Sequence, residues 1–296
     1  MKFRKALFLL PLCALLALGA CTRLPQSGQL ADSRLVETSG IAATRAGPTG
    51  VWALNDGGNG AVLYRLDDRG ATQQRVVVTG TRNHDWEDMA SFTWREQAWI
   101  VIADIGDNAA RRRSVRLHLL REPGAETTVT RPLSSLEVIY PDGPRDAEGL
   151  AVDATTGFVY VLSKRDRPNR LYRLPLDAFD NPDTAHRFES AGSTPLDTPP
   201  GVQALIRQPV LLAIGGYSTA FDISADGTRA VVLGYRRART ATRRDGESWS
   251  DALQRLSPLP DHALTQAEAA AFTRNGKAVV VTSEGEGAPL ITQPLN

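Results

Sequence analysis

Cysteine is almost missing from this sequence: of 296 residues only Cys13 and Cys21 are cysteines, and both belong to its first 21 positions. Once a leader ending at Ala20 is removed, no pair of thiols remains. A cystine framework, a cysteine nucleophile and a zinc–thiolate site are thereby excluded from the mature chain. Histidine is also scarce, with His84, His118, His186 and His262 scattered along the chain, so the clustered His and Cys that select zinc are lacking. There is no excess of base either. The 34 Lys and Arg stand against 33 Asp and Glu, and Lys2, Arg4 and Lys5 sit in the leader, so the mature chain is close to neutral. It lacks the basic surplus that drives counterion release, which excludes nucleic acid as a bulk partner. No nucleophile–base pair, Gly-rich phosphate loop or redox motif stands out.

What is present begins at the N-terminus. Met1-Lys2-Phe3-Arg4-Lys5 precede an apolar run from Ala6 to Ala20, the charged and hydrophobic regions of an export signal of less than membrane-spanning length. Leu18-Gly19-Ala20 before Cys21 matches the bacterial lipobox, which makes Cys21 the expected lipidation site; an ordinary secretory signal cut nearby is the other reading. Thr22, in place of an Asp, favours sorting to the outer membrane of a Gram-negative cell. The expected partner at this end is therefore the membrane, reached through a lipid, and the expected location is the periplasmic side of the envelope. Residues 1–20 read as signal, 21–35 as a polar tether without a period, and 36–296 as one domain.

Within that domain a layout recurs at roughly propeller spacing. Five segments each join a short strand, a turn and a strongly β-branched strand, often with a third strand. They open at Ser39, Asp85, Asp146, Thr219 and Gln266. Each would form a small sheet that cannot bury both faces alone, so neighbours must stack radially. The expected fold is an all-β propeller of five blades; a sixth would need the stretch from Phe188 to Tyr217, with Val210-Leu211-Leu212-Ala213-Ile214 as its core. Asp226-Gly227 and Asn275-Gly276 read as hairpin turns, since these residues tolerate positive φ. The last run, Pro289 to Leu295, is expected to add an outer strand beside segment one or five, closing the ring by pairing N- and C-terminal strands.

In a propeller the innermost strand starts on the face where the second strand ends. Strand starts contribute Asp85 and Glu87, Asp146 and Glu148, and Gln266 and Glu268; strand ends contribute Asn55 and Asp56, Asp104, Asp107 and Asn108, Lys164 and Arg165, Arg236 and Arg237, and Glu284 and Glu286. Crowded carboxylates repel, so some are protonated, or they pair with bases, or a cation sits among them. Glu87, Glu148, Asp104, Asp85, Asp146 and Glu268 are the candidate metal ligands, and an oxygen-only set suits calcium. Lys164, Arg165, Asn55, Asp56, Asp107 and Asn108 are the candidates for contacting a ligand or its anionic group. The plainer alternative is that each Glu caps backbone amides or pairs with an arginine of the next blade. The runs Arg111-Arg112-Arg113 and Arg236-Arg237-Ala238-Arg239 read as solvated loop faces. Trp86 serves either core packing or ligand stacking.

Three motifs carry a resemblance: Asp85-Trp86-Glu87-Asp88, Ala103-Asp104-Ile105-Gly106-Asp107-Asn108, and Asp146-Ala147-Glu148-Gly149-Leu150. In that order, over most of the mature chain, they resemble a group of bacterial β-propeller lipoproteins with which no established activity is associated. More distantly, the Asp-x-Glu-Gly pattern is similar to phytase-like esterases and to the gluconolactonase and regucalcin propellers. That likeness implies a divalent metal in the central channel and hydrolysis of a phosphoester or lactone. The lactonase metal ligands cannot be placed one by one on this chain. Two functions are therefore expected. One is an envelope binding or scaffold propeller, engaging a protein or small ligand at its mouth. The other is a calcium-dependent hydrolase in which Glu87, Glu148 and Asp104 hold the metal and Lys164 or Arg165 steadies an anionic group.

Overall fold

The computed structural model describes residues 26–196, 216–264 and 266–295. Cys21 and the leader lie outside them, as do residues 210–214, the core of the sixth blade considered above. Five sheets, each with an antiparallel four-stranded body, form five blades, and the innermost strands are Thr38–Ala43, Trp86–Trp94, Ala147–Asp153, Ala220–Ile223 and Ala267–Phe272. The second strands are Val51–Asn55, Gln97–Asp104, Phe158–Ser163, Arg229–Gly234 and Ala278–Ser283. Inner and second strands are flanked by blades on both sides, which is why they read as near-continuous apolar runs rather than alternating ones. Ala269-Ala270-Ala271 opposite Val280-Val281-Thr282 is the extreme case, small residues at the crowded axis and β-branched ones outside it.

Five apolar clusters fill the five seams between neighbouring blades. Trp52, Trp86 and Met89 pack between blades one and two; Trp99, Tyr172 and Phe188 between two and three; Phe221 and Trp249 between three and four. Phe272 with Val231 fills the fourth seam, and Leu30, Tyr64 and Leu290 the seam that closes the ring. Trp86 is fully buried here, so its role is packing.

Closure is made by Gln26–Gln29, which pairs antiparallel with Pro289–Pro294, from Gln26 opposite Thr292 to Gln29 opposite Pro289. Pro289–Pro294 is thus the third strand of blade five, and the N-terminal strand is its fourth. This corrects the reading of 21–35 as a tether: the part from Gln26 onward belongs to the fold, and Leu30 and Leu35 are buried. An edge strand held on one side by backbone bonds needs no apolar alternation, so composition gave no sign of it. Glu189–Thr194, inside the stretch considered for a sixth blade, is the fourth strand of blade three.

The link between third and fourth strands of one blade covers the outer edge of the blade before it. Val129–Thr130 pairs in parallel with Thr72–Val78, and His186–Arg187 with Ser134–Ile139. The short helix Trp249–Leu253 lies on Glu189–Thr194, where the Thr194 hydroxyl donates to the Leu253 carbonyl at 3.0 Å. At the closing seam the Gln29 N–H donates to the Arg69 carbonyl at 2.9 Å. Exposed strand edges are thereby blunted and successive blades latched. Among the described residues no helix is long and apolar enough to cross a membrane.

Candidate functional site

Four of the five inner strands begin with a β-bulge at the same place. The register skips Ser39, Glu87, Glu148 and Glu268. A bulge adds one residue against its partner strand and re-aims that residue's side chain. These four gather at one end of the channel: the Ser39 hydroxyl donates to Glu87 Oε2 at 3.1 Å, and the charge of Glu148 adds to burial in raising both Glu87 and Glu268. Blade four has no bulge. Its strand is preceded by Ser218 and Thr219, whose hydroxyls donate to the carbonyls of Ser163 (2.9 Å) and Ala267 (2.8 Å).

The acids of this mouth fall into three sets. In the first, Asp56, Asp85 and Glu87 each bring one carboxylate oxygen to within 4.8 Å of the others. Asp56 follows the second strand of blade one, and Asp85 and Glu87 flank Trp86. Asn83 binds the two chain segments together, donating to the carbonyls of Asn55 (3.0 Å) and Asp56 (2.7 Å) and accepting the Trp86 N–H at 3.0 Å. Two glycines let backbone close round the carboxylates. A Cβ on Gly57 would lie 2.4 Å from Asp85 Oδ1, and one on Gly106 would lie 2.2 Å from Glu87 Oε1. Neither glycine has positive φ, so close approach is what requires them. Burial pushes Asp56 up to about 6 and raises Asp85; burial, then Glu148, Asp56 and Asp85, lift Glu87 well above its ordinary range. Among the described residues none of the three forms a salt bridge. Three oxygen donors without a base, enclosed by glycine backbone, fit a hard divalent cation.

In the second set every acid is bound to an arginine or held by backbone. Arg112 donates to Asp104 Oδ1 at 2.7 Å and to the Gly106 carbonyl at 2.8 Å, and its own N–H reaches Asp107 Oδ2 at 2.7 Å. Arg165 pairs with Asp146 at 2.5 Å and donates to Asn108, while Asp146 Oδ1 accepts the Asp107 N–H at 3.0 Å. Asp104, Asp107, Asn108 and Asp146 therefore brace the 104–108 loop against blade three, and Arg165 is occupied by them. Arg112, read from the sequence as solvated, is the centre of this brace. Asn55 also serves the backbone, donating to the Arg34 carbonyl at 2.7 Å.

The third set is Glu148, Lys164 and Glu268. The Lys164 ammonium donates to Glu148 Oε1 and lies 5.3 Å from the Tyr235 ring centroid. Burial works against its charge, but Glu148 and Glu268 outweigh that and keep it a cation, so it is neither nucleophile nor base. Burial, partly offset by Lys164, lifts Glu148 to about 8; burial and then Glu148 lift Glu268 to about 9. Glu148 Oε2 is buried without a partner.

Two further buried acids tie the inner strands to one another. Asp88 accepts the N–H groups of Met89 (2.8 Å), Leu150 (2.8 Å) and Phe221 (3.4 Å), joining three inner strands. Asp222 accepts those of Ile223 and Phe272, both at 2.8 Å, joining blades four and five. Asp222 was not singled out from the sequence, although an acid inside Ala220-Phe221-Asp222-Ile223 is the visible signal.

No protein-family model matches the chain, and a search of curated proteins finds no relative. Solved structures similar in fold include a luciferin-regenerating enzyme, with 10% identity and TM-score 0.48 over 92% of this chain and 97% of that one. A PQQ-bound aldose sugar dehydrogenase from Streptomyces coelicolor aligns with 11% identity and TM-score 0.43, over 91% and 98% of the two chains. The WD40 repeats of RRP9 align with 12% identity and TM-score 0.41, over 88% and 67%. At such identities the likeness is one of fold, and no activity passes with it.

Proposed function

We propose that this chain is a lipid-anchored envelope protein whose propeller is a binding module with a divalent-cation site, for calcium, at its mouth. The observation that carries this reading is the set Asp56, Asp85 and Glu87: three converging carboxylate oxygens with no salt-bridge partner among the described residues, whereas Asp104, Asp146 and Glu148 beside them each have one. Leaving one buried and two half-buried carboxylates together is costly unless a cation or protons relieve them. The motif resemblance supports the same location for a metal. If Cys21 carries the lipid, five peptide steps separate it from Gln26, a reach of at most about 18 Å. The closing seam of the ring then lies close to the membrane, and the partners are that membrane and an envelope protein or small ligand at the mouth.

A calcium-dependent hydrolase is the second reading. It is favoured by Glu148 and Glu268, which at about 8 and 9 carry protons near neutrality beside the cation set and can act as general acids. Phosphoester substrates are disfavoured, because Lys164 and Arg165 are spent on Glu148 and Asp146.

The test is a melting curve of the domain from Gln26 onward, in chelator and in calcium. A cation held only by the native state at 100 times its Kd adds about 2.7 kcal/mol, which raises Tm by about 5–10 °C. Asp85→Asn should remove that rise. No calcium shift in the unaltered domain refutes the site, and turnover of a model ester or lactone, lost in Glu148→Gln, would favour the second reading.

A further inference from the structure

We propose that a cleft in the seam between blades one and two is an anion site, shaped and charged for a phosphate monoester group. It uses none of Asp56, Asp85 and Glu87 and does not depend on calcium. The cleft has a volume of about 550 Å³. One wall is the loop that follows Thr72–Val78, with Thr81, Arg82 and His84; the other is the outer half of blade two, with Arg116 and His118 on Val115–Arg121 and Ser135 on Ser134–Ile139. Among the described residues no acid lines it.

Its two arginines are uncommitted. Neither Arg82 nor Arg116 forms a salt bridge among the described residues. Acids do stand opposite Arg116 in the sheet, Asp104 on one neighbouring strand and Glu137 on the other. Both are turned to other donors: Arg112 holds Asp104 at 2.7 Å, and the Ser114 hydroxyl donates to Glu137 Oε1 at 2.6 Å. The positive charge of the cleft is therefore not neutralised from within the chain.

Between the walls runs a hydrogen-bonded chain of side groups. His118 is 2% exposed, with Nδ1 2.8 Å from Ser135 Oγ and Nε2 3.2 Å from Thr81 Oγ1. Burial pushes its pKa down to about 4, so near neutrality the ring has one N–H and one bare nitrogen. The bare nitrogen accepts from one hydroxyl, and the ring N–H donates to the other, whose own hydrogen is then left over. With the N–H on Nδ1 that hydroxyl is Ser135, at the surface; with it on Nε2 it is Thr81, whose other acceptor is the Arg82 carbonyl at a long 3.4 Å. Either tautomer leaves a donor for a ligand. So weak a base does not activate Ser135 as a nucleophile, and the arrangement holds a ligand rather than attacking it.

Two unpaired guanidinium groups and a spare hydroxyl hydrogen call for an anion with more than two acceptor oxygens. A carboxylate fills one guanidinium fork and leaves the other unmatched. A phosphate monoester brings three acceptor oxygens and nearly two charges, and guanidinium groups bind it bidentately.

The experiment uses the domain from Gln26 onward in metal-free buffer, titrated calorimetrically with glycerol 3-phosphate and co-sedimented with phosphatidylcholine vesicles with and without phosphatidic acid. Expected is binding of the soluble ester, or retention only on the vesicles that carry phosphatidic acid, weakened about tenfold or more by Arg82→Gln and by Arg116→Gln. Both arginines are exposed, so these variants keep the fold. Lys277→Gln removes the same charge from an exposed turn of blade five and should bind like the unaltered domain. Binding of the soluble ester assigns a free solute as the source of the phosphate, and binding to the vesicles alone assigns a lipid headgroup. No binding in either form, or a loss as large in Lys277→Gln as in the two arginine variants, overturns the proposal. Neither result bears on calcium, whose own test is separate.

Discussion

Replacing Gly106 by alanine adds a single methyl group, and it should cost far more than a methyl usually does. The new Cβ would lie 2.2 Å from Glu87 Oε1 and 2.6 Å from the Asp85 carboxyl carbon. Glu87 is 3% exposed and cannot swing into solvent. The loop cannot easily retreat either, because the Gly106 N–H donates to the Asp85 carbonyl at 3.2 Å and its own carbonyl accepts from Arg112. Overpacking of this kind costs about 1–3 kcal/mol. For a domain of this size that lowers Tm by about 2–4 °C per kcal/mol, so a fall of roughly 2–12 °C is expected in chelator. The carboxylates must also part, so calcium affinity should drop with it. Gly124→Ala is the control: its Cβ would meet only Thr127 Oγ1 at 3.8 Å, an ordinary contact, and the change should stay within about 0.5 kcal/mol. Differential scanning calorimetry and a calcium titration read both effects. If Gly106→Ala melts like the unaltered chain and binds calcium as well, the 104–108 loop does not pack on the acids as described.

Asp88→Ala strands the N–H groups of Leu150 and Phe221 between blades and should cost about 2–5 kcal/mol by urea denaturation, with Asp88→Asn milder because one oxygen remains. A chain starting at Leu30 should melt well below one starting at Gln26, since it lacks the fourth strand of blade five; equal melting would mean that strand does not close the ring. In chelator, stability should fall as pH rises. Asp56 and Asp222 are raised to about 6, Glu148 to about 8 and Glu268 to about 9, all by burial first. Acids raised on folding contribute stability that is complete below their unfolded values near 4 and is lost as pH climbs through the folded ones. Melting temperatures measured from about pH 5 to 9 should therefore decline, and a rise over that range would contradict the burial of these groups.

Much of the architecture was legible because it rests on local signals. The apolar runs Val279-Val280-Val281 and Val231-Val232-Leu233 marked second strands, and Gly227 and Gly276 take φ of +67° and +64° in the turns where glycine was expected. The gathering of Glu87, Glu148 and Glu268 followed from knowing where inner strands start. What escaped the sequence is what depends on pairing across blades. The bulges exist only relative to a partner strand, so nothing in the residues announces them. Asp88 meets Phe221 133 residues away, and Asp104 meets an arginine from a run that looked solvated. The division of one acidic ring into an unpaired trio, a braced loop and a lysine-sharing pair was invisible for the same reason: types were readable, partners were not. Gln26–Gln29 failed to signal a strand because it carries no apolar alternation.

The most direct test of the cation set is equilibrium dialysis of the domain against calcium, with Asp85→Asn alongside. One calcium should be retained per chain, and Asp85→Asn should release it while the variant remains folded. A domain that retains no calcium, or holds it equally well without the Asp85 carboxylate, would contradict the assignment of Asp56, Asp85 and Glu87 as its ligands.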